Sequence, residues 1–249
     1  MVTKIRVIKE FNASAKPLIV GLPGMGRVGY MSANFFIEKL DGKHVADVYS
    51  TYFPPQLIVG KSGVSNLFVG RIFDVGDALI FTAETQPPNP EGQNEVCYVL
   101  LDFLSKKGIN AVLAGAAYVV PQVGDSRKVF IAGTDEVLLS TLRELGAEPL
   151  NEGVISGING AIVGWAKYYG IPAVVVLGET WAPIVEFDEV DYRAASRVIE
   201  LIAKYLRISV DIEYMNELAG KVEKKILRAI SQAMKISGAP EKKPPKEVM

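Results

Sequence analysis

Short apolar runs alternate with longer stretches of helical periodicity along most of the chain. Several of these runs are rich in β-branched residues and lack the alternation of a half-exposed strand, which is typical of strands buried on both faces. The pattern predicts an α/β fold: a mixed, mostly parallel sheet flanked by helices. The predicted strands span residues 5–8, 18–22, 45–50, 78–83, 111–116, 129–132 and 173–177.

Apolar positions three to four residues apart predict six helices. They span residues 28–40, 91–107, 135–145, 161–169, 189–206 and 211–236. Thr134 and Asp135 precede the third helix and Asp188 the fifth, where their side chains can accept backbone N–H bonds of the first turn. Between residues 56 and 74, two apolar runs flank a turn rich in Gly and Ser, which predicts a β-hairpin and therefore a mixed sheet.

The last predicted helix carries a continuous apolar stripe opposite a charged face. A helix over residues 211–236 is about 39 Å long at roughly 1.5 Å per residue, which is more than a compact domain needs. Two interpretations stay open: the stripe packs on its own domain, or it packs against another subunit or a partner protein. The candidate interface residues are Met215, Leu218, Val222, Ile226, Ala229, Ile230 and Ala233.

The chain is expected to divide into three parts. Residues 1–210 form the α/β core, residues 211–236 the terminal amphipathic helix, and residues 237–249 a tail. Three prolines and alternating charges in the tail favour an extended, solvated segment over packed structure.

Composition and charge argue against nucleic acid and membranes as partners. The 249 residues include 27 basic and 28 acidic side chains, a net charge of -1, so no long-range field attracts nucleic acid or an anionic membrane. The most continuous apolar stretch, residues 111–121, is too short to span a bilayer. The first residues carry charges where a signal peptide needs an apolar run. We expect a cytoplasmic protein with neither nucleic acid nor membrane as partner.

One histidine and one cysteine restrict the available chemistry. His44 lies in a polar segment that leads into a predicted strand, so we expect an exposed loop histidine. Cys97 occupies an apolar position of a predicted helix, so we expect a buried, inert thiol, and a single cysteine cannot form an intramolecular disulfide or a Cys-cluster zinc site. We predict no catalytic residue, no cofactor and no metal.

The segment GLPGMGRVG, residues 21–29, follows a predicted strand and opens a helix. Gly24, Gly26 and Gly29 spell the G-x-G-x-x-G pattern, whose backbone N–H groups can hold a phosphate. Asp47 lies 18 residues beyond Gly29, near the position of a ribose-binding acid. A tight turn that packs closely explains the same glycines equally well. Both interpretations stay open on the pattern alone.

Acidic residues follow two predicted strands, at the sheet edge where open α/β folds bind ligands. Glu84, Gln86 and Glu91 lie in the proline-rich segment ETQPPNPEGQ, which could bind a small molecule or form a stiff contact surface. Glu179 ends a later strand, but no histidine, cysteine or lysine base is visibly paired with it. A nucleotide- or nucleoside-binding enzyme that uses the 21–29 turn, Glu84 and Glu179 is the alternative function.

Four segments together resemble the proteasome assembly chaperone family in its archaeal branch. They are PLIVGLPGMGRVGYMSANFFIEKL, FPPQLIV, ETQPPNPEGQNEV and GVISGINGAIVGWAKYYGIPAVVVLGET, spread over about residues 17–206. The resemblance implies a phosphorylase/hydrolase-like α/β domain, no established catalytic centre and self-assembly into homo-oligomers. It also implies that the turn from Gly21 to Gly29 is a structural feature.

The resemblance also implies how some members dock on the proteasome α-ring. They use a tail whose last three residues are a hydrophobic residue, a tyrosine and any residue. This sequence ends Glu247, Val248, Met249, so that motif is absent. We therefore expect a non-enzymatic assembly-chaperone-like or scaffold protein that forms a homo-oligomer, a ring being one arrangement, and recruits another protein through its C-terminal helix. Proteasome subunits are one candidate partner.

Overall fold

A computed structural model of the chain describes residues 2–124 and 126–237. Within these residues, the strands are β1 (Thr3–Val7), β2 (Pro17–Val20), β3 (Lys43–Ser50), β4 (Leu57–Val59), β5 (Ser65–Leu67), β6 (Gly70–Asp74), β7 (Leu79–Thr82), β8 (Ala111–Val120), β9 (Val129–Gly133), β10 (Glu148–Pro149) and β11 (Ala173–Trp181). The helices are α1 (Val28–Lys39), α2 (Pro90–Lys106), α3 (Glu136–Glu144), α4 (Ile158–Tyr168), α5 (Ala182–Glu186), α6 (Tyr192–Leu206) and α7 (Glu213–Ser237).

Nine strands form one sheet in the order β1-β3-β6-β7-β2-β8-β11-β9-β10. The four central strands, β7, β2, β8 and β11, run parallel to one another. On either side of them the pairing is antiparallel for β1 with β3, β3 with β6, β6 with β7, and β9 with β11, whereas the edge strand β10 pairs parallel with β9. The predicted α/β class, a mixed sheet with parallel strands flanked by helices, is confirmed. Strands β2 and β7 are buried at every residue, as their continuous apolar runs predicted.

Helices cover both faces of the sheet. Leu18 and Val20 of β2 face the core that contains the buried side chains of α2 and α4. Ile19, between them, faces the opposite core, which contains buried side chains of α1, α3 and α6. The alternation follows from the two-residue period of a strand. The sheet therefore separates two apolar cores.

Helix α7 lies on the α6 side of the sheet and packs against α5 and α6. Met215 belongs to the core on that side, and Ala219 and Ile226 are also buried. The helix runs from Glu213 to Ser237, close to the predicted 211–236. The proposed division into core, helix and tail stays a prediction, and residues 238–249 of the predicted tail lie outside the described residues.

Two local predictions were wrong in detail. The segment 56–74 does not form a single hairpin: β4 and β5 make a separate two-stranded sheet, and β6 joins the main sheet. The apolar pattern had merged three short strands into two.

Helix α6 is capped by Asp191, whose carboxylate accepts the N–H of Ala194, whereas Asp188 has φ of 51° and precedes the cap. Asp135 caps α3 as predicted.

Candidate functional site

A cavity of about 320 Å³ opens beyond the carboxyl ends of β2, β8 and β11. This is the edge of a parallel sheet where α/β folds most often bind ligands. The glycine-rich segment 21–29 leads from β2 through a single 3-10 turn, Met25–Arg27, into α1 on one side of this cavity. Residues that line it include Gly24, Met25, Gln86, Tyr118, Glu152 and Asn159.

The glycines of the turn allow α1 to lie directly against the sheet. A Cβ on Gly29 would lie 2.1 Å from the carbonyl oxygen of Gly115 in β8, and a Cβ on Gly21 would lie 2.1 Å from the carbonyl oxygen of Gly29. Gly26 has φ of 56°, a left-handed conformation that favours glycine. Close backbone packing therefore accounts for Gly21 and Gly29, and backbone conformation accounts for Gly26.

Two amide side chains hold the turn in place. The buried Asn159 accepts the N–H of Leu22 and donates to the carbonyl of the same residue, both at 3.0 Å. Gln86 donates to the carbonyl of Pro23 and accepts the N–H of Ile158 at 2.8 Å. These polar groups of the turn are thus satisfied within the chain. Among the residues predicted as binding candidates, Gln86 has this positioning role.

The predicted ribose-binding acid does not lie beside the turn. Asp47 is on β3, which is separated from β2 by β6 and β7. There it is 8% exposed, and its Oδ1 lies 2.8 Å from Nε2 of His44. His44 itself is half-buried on β3, so the expectation of an exposed loop histidine was wrong. Asp47 therefore cannot serve as the ribose-binding acid of a dinucleotide site at the turn.

The two candidate catalytic acids lie apart. Glu84 lies just beyond β7 and pairs with Arg71, and Glu179 at the end of β11 accepts the N–H of Lys128 at 3.0 Å. Two strands separate β7 from β11, a distance of about 14 Å at 4.8 Å per strand. Each acid therefore has its own partner, and the two cannot act on one small substrate. Glu91 lies in the first turn of α2.

Cys97 is completely buried, as predicted. Burial raises the pKa of its thiol, which disfavours the reactive thiolate. No group of three or more potential metal-ligating residues occurs within residues 2–124 and 126–237. Of the helices in the same part of the chain, none has the length and hydropathy to cross a bilayer.

A charged cluster lies beneath α7 and was not predicted from the sequence. We call Arg127, Asp191, Arg193 and Glu223 the arginine cluster. Arg127 is 2% exposed, and its Nη1 donates to Asp191 at 3.0 Å while its Nη2 donates to Glu223 at 3.3 Å. Arg193 binds Glu223 through two hydrogen bonds of 2.8 Å each. The carboxylate of Glu223 therefore attaches α7 to α6 and to the segment before β9.

The same hydrogen bonds set the electrostatics of the cluster. Hydrogen bonds from Arg193 hold the pKa of Glu223 below its usual value, and the charge of Arg127 adds to that effect, although partial burial acts the other way. The reciprocal hydrogen bond raises the pKa of Arg193. A cavity of about 550 Å³ beside the cluster is lined also by Trp181 and Leu227.

The predicted interface residues divide into three groups on α7. Met215 and Ile226 are buried against their own subunit. Leu218, Val222, Ala229 and Ile230 are half-buried, and Ala233 is exposed. Leu227, which the sequence interpretation omitted, is 53% exposed. Helix α7 thus packs on its own domain through part of the stripe and leaves the remainder partly uncovered; the interface role of these residues stays a prediction.

Comparison with known proteins adds family information. The family model described as the PAC2 family matches residues 18–230. An uncharacterized protein of Methanocaldococcus jannaschii is 26% identical over 247 residues, covering 97% of this chain and 94% of the relative.

Two solved structures from Pyrococcus furiosus are similar over nearly the whole chain. PbaB, described as an archaeal proteasome activator, is 28% identical, with a TM-score of 0.82 over 92% of this chain and 98% of PbaB. PbaA, described as an archaeal homolog of proteasome-assembly chaperone, is 27% identical, with a TM-score of 0.77 over 94% of each chain.

Proposed function

Because the chain belongs to the PAC2 family, we propose that it is a non-enzymatic, cytoplasmic protein that resembles an assembly chaperone or scaffold. It forms a homo-oligomer and recruits a partner protein through α7. Proteasome subunits are the first partners to test, since similar proteins from Pyrococcus furiosus are described as a proteasome activator and as a homolog of proteasome-assembly chaperone.

The main support for this proposal is that α7 packs on its own domain through one part of its apolar stripe and leaves the other part uncovered. Met215, Ala219 and Ile226 hold the helix on its own domain, whereas Leu227 and Ala233 remain exposed. Val222 and Ile230 are only half-buried in the single subunit. Apolar side chains that stay partly in water gain free energy when a second chain covers them, at about 25 cal/mol per Å². The uncovered part of α7 therefore favours protein binding.

The separation of the candidate acids supports a role without catalysis. Glu84 is paired with Arg71, and Glu179 holds the backbone of Lys128. Catalysis by two carboxylates needs both within reach of one substrate. The cavity beside Gly24 still supports the nucleotide-binding alternative, but the position of Asp47 no longer does.

Light scattering on paired variants tests self-association. Val222→Asp and Ile230→Asp should each weaken association by several kcal/mol, roughly the cost of burying an unpaired charge. Arg228→Asp is the matched control and should keep the wild-type mass, because Arg228 and the residues one turn away from it, Lys224 and Gln232, are exposed polar residues. A monomeric wild-type protein, or an unchanged mass for both test variants, contradicts the proposal.

Copurification with proteasome α-subunits tests the partner. The wild-type chain and Arg228→Asp should retain α-subunits, and Val222→Asp should lose most of them. Circular dichroism and thermal unfolding of each variant establish that it keeps the wild-type helix content and stability. If α-subunits bind none of the proteins, the proteasome is rejected as partner.

A further inference from the structure

An aromatic surface lies on the face of the molecule opposite α7. Tyr98 of α2 meets Trp165 of α4 with ring centroids 5.4 Å apart. Tyr168 lies 5.9 Å from Trp165 and 5.1 Å from Tyr169. We call these four residues the aromatic patch. It belongs neither to the cavity at the strand ends nor to the arginine cluster.

Hydrogen bonds fix the rings of the patch. The indole Nε1 of Trp165 donates to Oδ1 of Asn94 at 2.9 Å, and the hydroxyl of Tyr169 donates to the carbonyl of Tyr98 at 3.4 Å. Tyr168 is 71% exposed. Gly164 precedes Trp165, and a Cβ there would have no atom within 4 Å. The patch is therefore a preorganised aromatic surface with open space beside it.

Such a surface suits one chemical class of ligand. Aromatic grooves bind proline-rich segments because the extended polyproline conformation is preformed and its rings pack on aromatic faces. The same faces attract lysine ammonium groups. Asp102 lies one helical turn beyond Tyr98 on α2 and pairs at 2.6 Å with the exposed Lys106. This pair is exposed and therefore weak, so Asp102 can exchange Lys106 for an incoming lysine.

The sequence of this chain contains a segment of that class. Residues 243–246 read Lys-Pro-Pro-Lys, within residues 238–249, which lie outside the described part of the chain. This segment supplies two adjacent prolines for the rings, with a lysine on each side. Its composition therefore matches both the aromatic and the electrostatic properties of the patch.

The distance along the chain identifies the source of the segment. Pro244 follows Ser237, the last residue of α7, by seven residues, which can span at most about 25 Å at roughly 3.6 Å per residue. Helix α7 lies beyond α6 on one side of the sheet, and α2 lies on the other side. Helix α6, the sheet and the layer formed by α2 and α4 separate α7 from the patch, which is about 30 Å at roughly 10 Å per layer. The segment is too short to reach the patch of its own subunit.

We propose that the aromatic patch binds the Lys-Pro-Pro-Lys segment, residues 243–246, of a second copy of this chain. The inference deepens the proposed self-association and rests on it. It assigns a binding surface to α2 and α4 that is distinct from the α7 stripe, so that two different contacts join the subunits.

Fluorescence quenching in mixed oligomers tests this assignment. One full-length chain carries Glu247→Cys, labelled with bimane, and Trp165→Phe, which removes the quencher from its own patch. Cys97 is buried, so the label goes to the introduced cysteine. This chain is coexpressed with the wild-type chain, and bimane is attached to the purified mixed oligomers. Tryptophan quenches bimane on contact, so the emission should fall at least twofold relative to coexpression with an unlabelled Trp165→Phe chain.

Three controls complete the experiment. Trp181→Phe in the unlabelled chain should leave the quenching unchanged, because Trp181 lies outside the patch. Pro244→Gly with Pro245→Gly in the labelled chain should remove most of the quenching, whereas Pro240→Gly should not.

If emission is the same with wild-type and Trp165→Phe acceptors, the proposal is overturned. Light scattering on the same samples separates the two claims, since oligomers without quenching reject only the tail contact, and monomers reject the self-association.

Discussion

The glycine turn after β2 and the arginine cluster beneath α7 are held by different physical means. At the turn, Gly29 lies against the backbone of Gly115, and the neutral amide of Asn159 binds Leu22. In the cluster, the carboxylate of Glu223 binds two guanidinium groups. Backbone packing and neutral hydrogen bonds respond little to pH and salt, whereas charge pairs respond to both. The stability of the turn should therefore depend little on pH and salt, whereas the attachment of α7 should depend on both.

The largest effect is expected from filling the contact between α1 and β8. Gly29→Val places side-chain atoms where the carbonyl of Gly115 lies, so we expect a loss of more than about 4 kcal/mol in the free energy of unfolding. Urea denaturation measures it. Gly164→Ala is the matched control: its Cβ meets open space, and it should stabilise α4 by about 0.5–1 kcal/mol. Equal stabilities would refute close packing as the role of Gly29.

The next effect concerns the amide that holds the turn. Asn159→Ala leaves the N–H and carbonyl of Leu22 without their partners, which should cost about 3 kcal/mol. Thermal unfolding at pH 7 and pH 5 should give the same loss, because no titratable group takes part. Asn216→Ala, at an exposed position of α7, should change stability by less than about 0.5 kcal/mol. A loss for Asn159→Ala that depends on pH would contradict a neutral contact.

A smaller effect is expected at the arginine cluster. Glu223→Gln removes the charge that binds Arg127 and Arg193, and we expect a loss of about 2 kcal/mol at pH 7, since hydrogen bonds to charged groups contribute about 1.5–3 kcal/mol. Urea denaturation of wild type and variant measures the difference. Glu217→Gln is the control, because Glu217 is exposed on the same helix.

The pH dependence of that difference has a definite sign. The folded pKa of Glu223 is lowered, so its contribution is fully present above the unfolded value of about 4.3 and is lost as the pH falls through the folded pKa. The gap between wild type and Glu223→Gln should therefore be constant from pH 7 to pH 5 and close below about pH 4. A gap that widens on acidification would show that another group dominates.

The smallest effect is expected at the edge of the same helix. Lys225 pairs with Glu189, but its side chain is 72% exposed. Lys225→Ala should change the free energy of unfolding by less than about 1 kcal/mol, since water and salt screen such a pair. Measuring the variant at low and high salt checks this expectation. A loss comparable to that of Glu223→Gln would show that the whole charged side of α7, and not the arginine cluster, holds the helix.

Much of the architecture was predictable from local pattern. Continuous apolar runs identified the buried central strands, and helical spacing located α7 to within two residues at its start and one at its end. The four sequence segments indicated the proteasome assembly chaperone family, and the PAC2 match over residues 18–230 confirms that resemblance. These features are readable because burial imposes a period of two or 3.6 residues on the side chains of each element.

The roles of individual polar residues were not predictable in the same way. Asp47 was a candidate ligand for ribose, in one of two open interpretations, because of its distance along the chain from Gly29. The order of strands then placed β3 away from β2. Gln86 was a binding candidate, but its amide holds the turn. Arg127 gave no signal at all, because a single arginine in a loop resembles any solvated charge.

The sequence by itself determined the α/β class, most of the elements, the family and the amphipathic character of α7, since each depends on residues close together in the chain. Tertiary structure alone decided which glycines pack against backbone and which charges meet. Arg127 and Glu223 are 96 residues apart in sequence, yet they form a hydrogen bond. Such a contact depends on strand order and helix packing, which bring distant segments together and which no local pattern records.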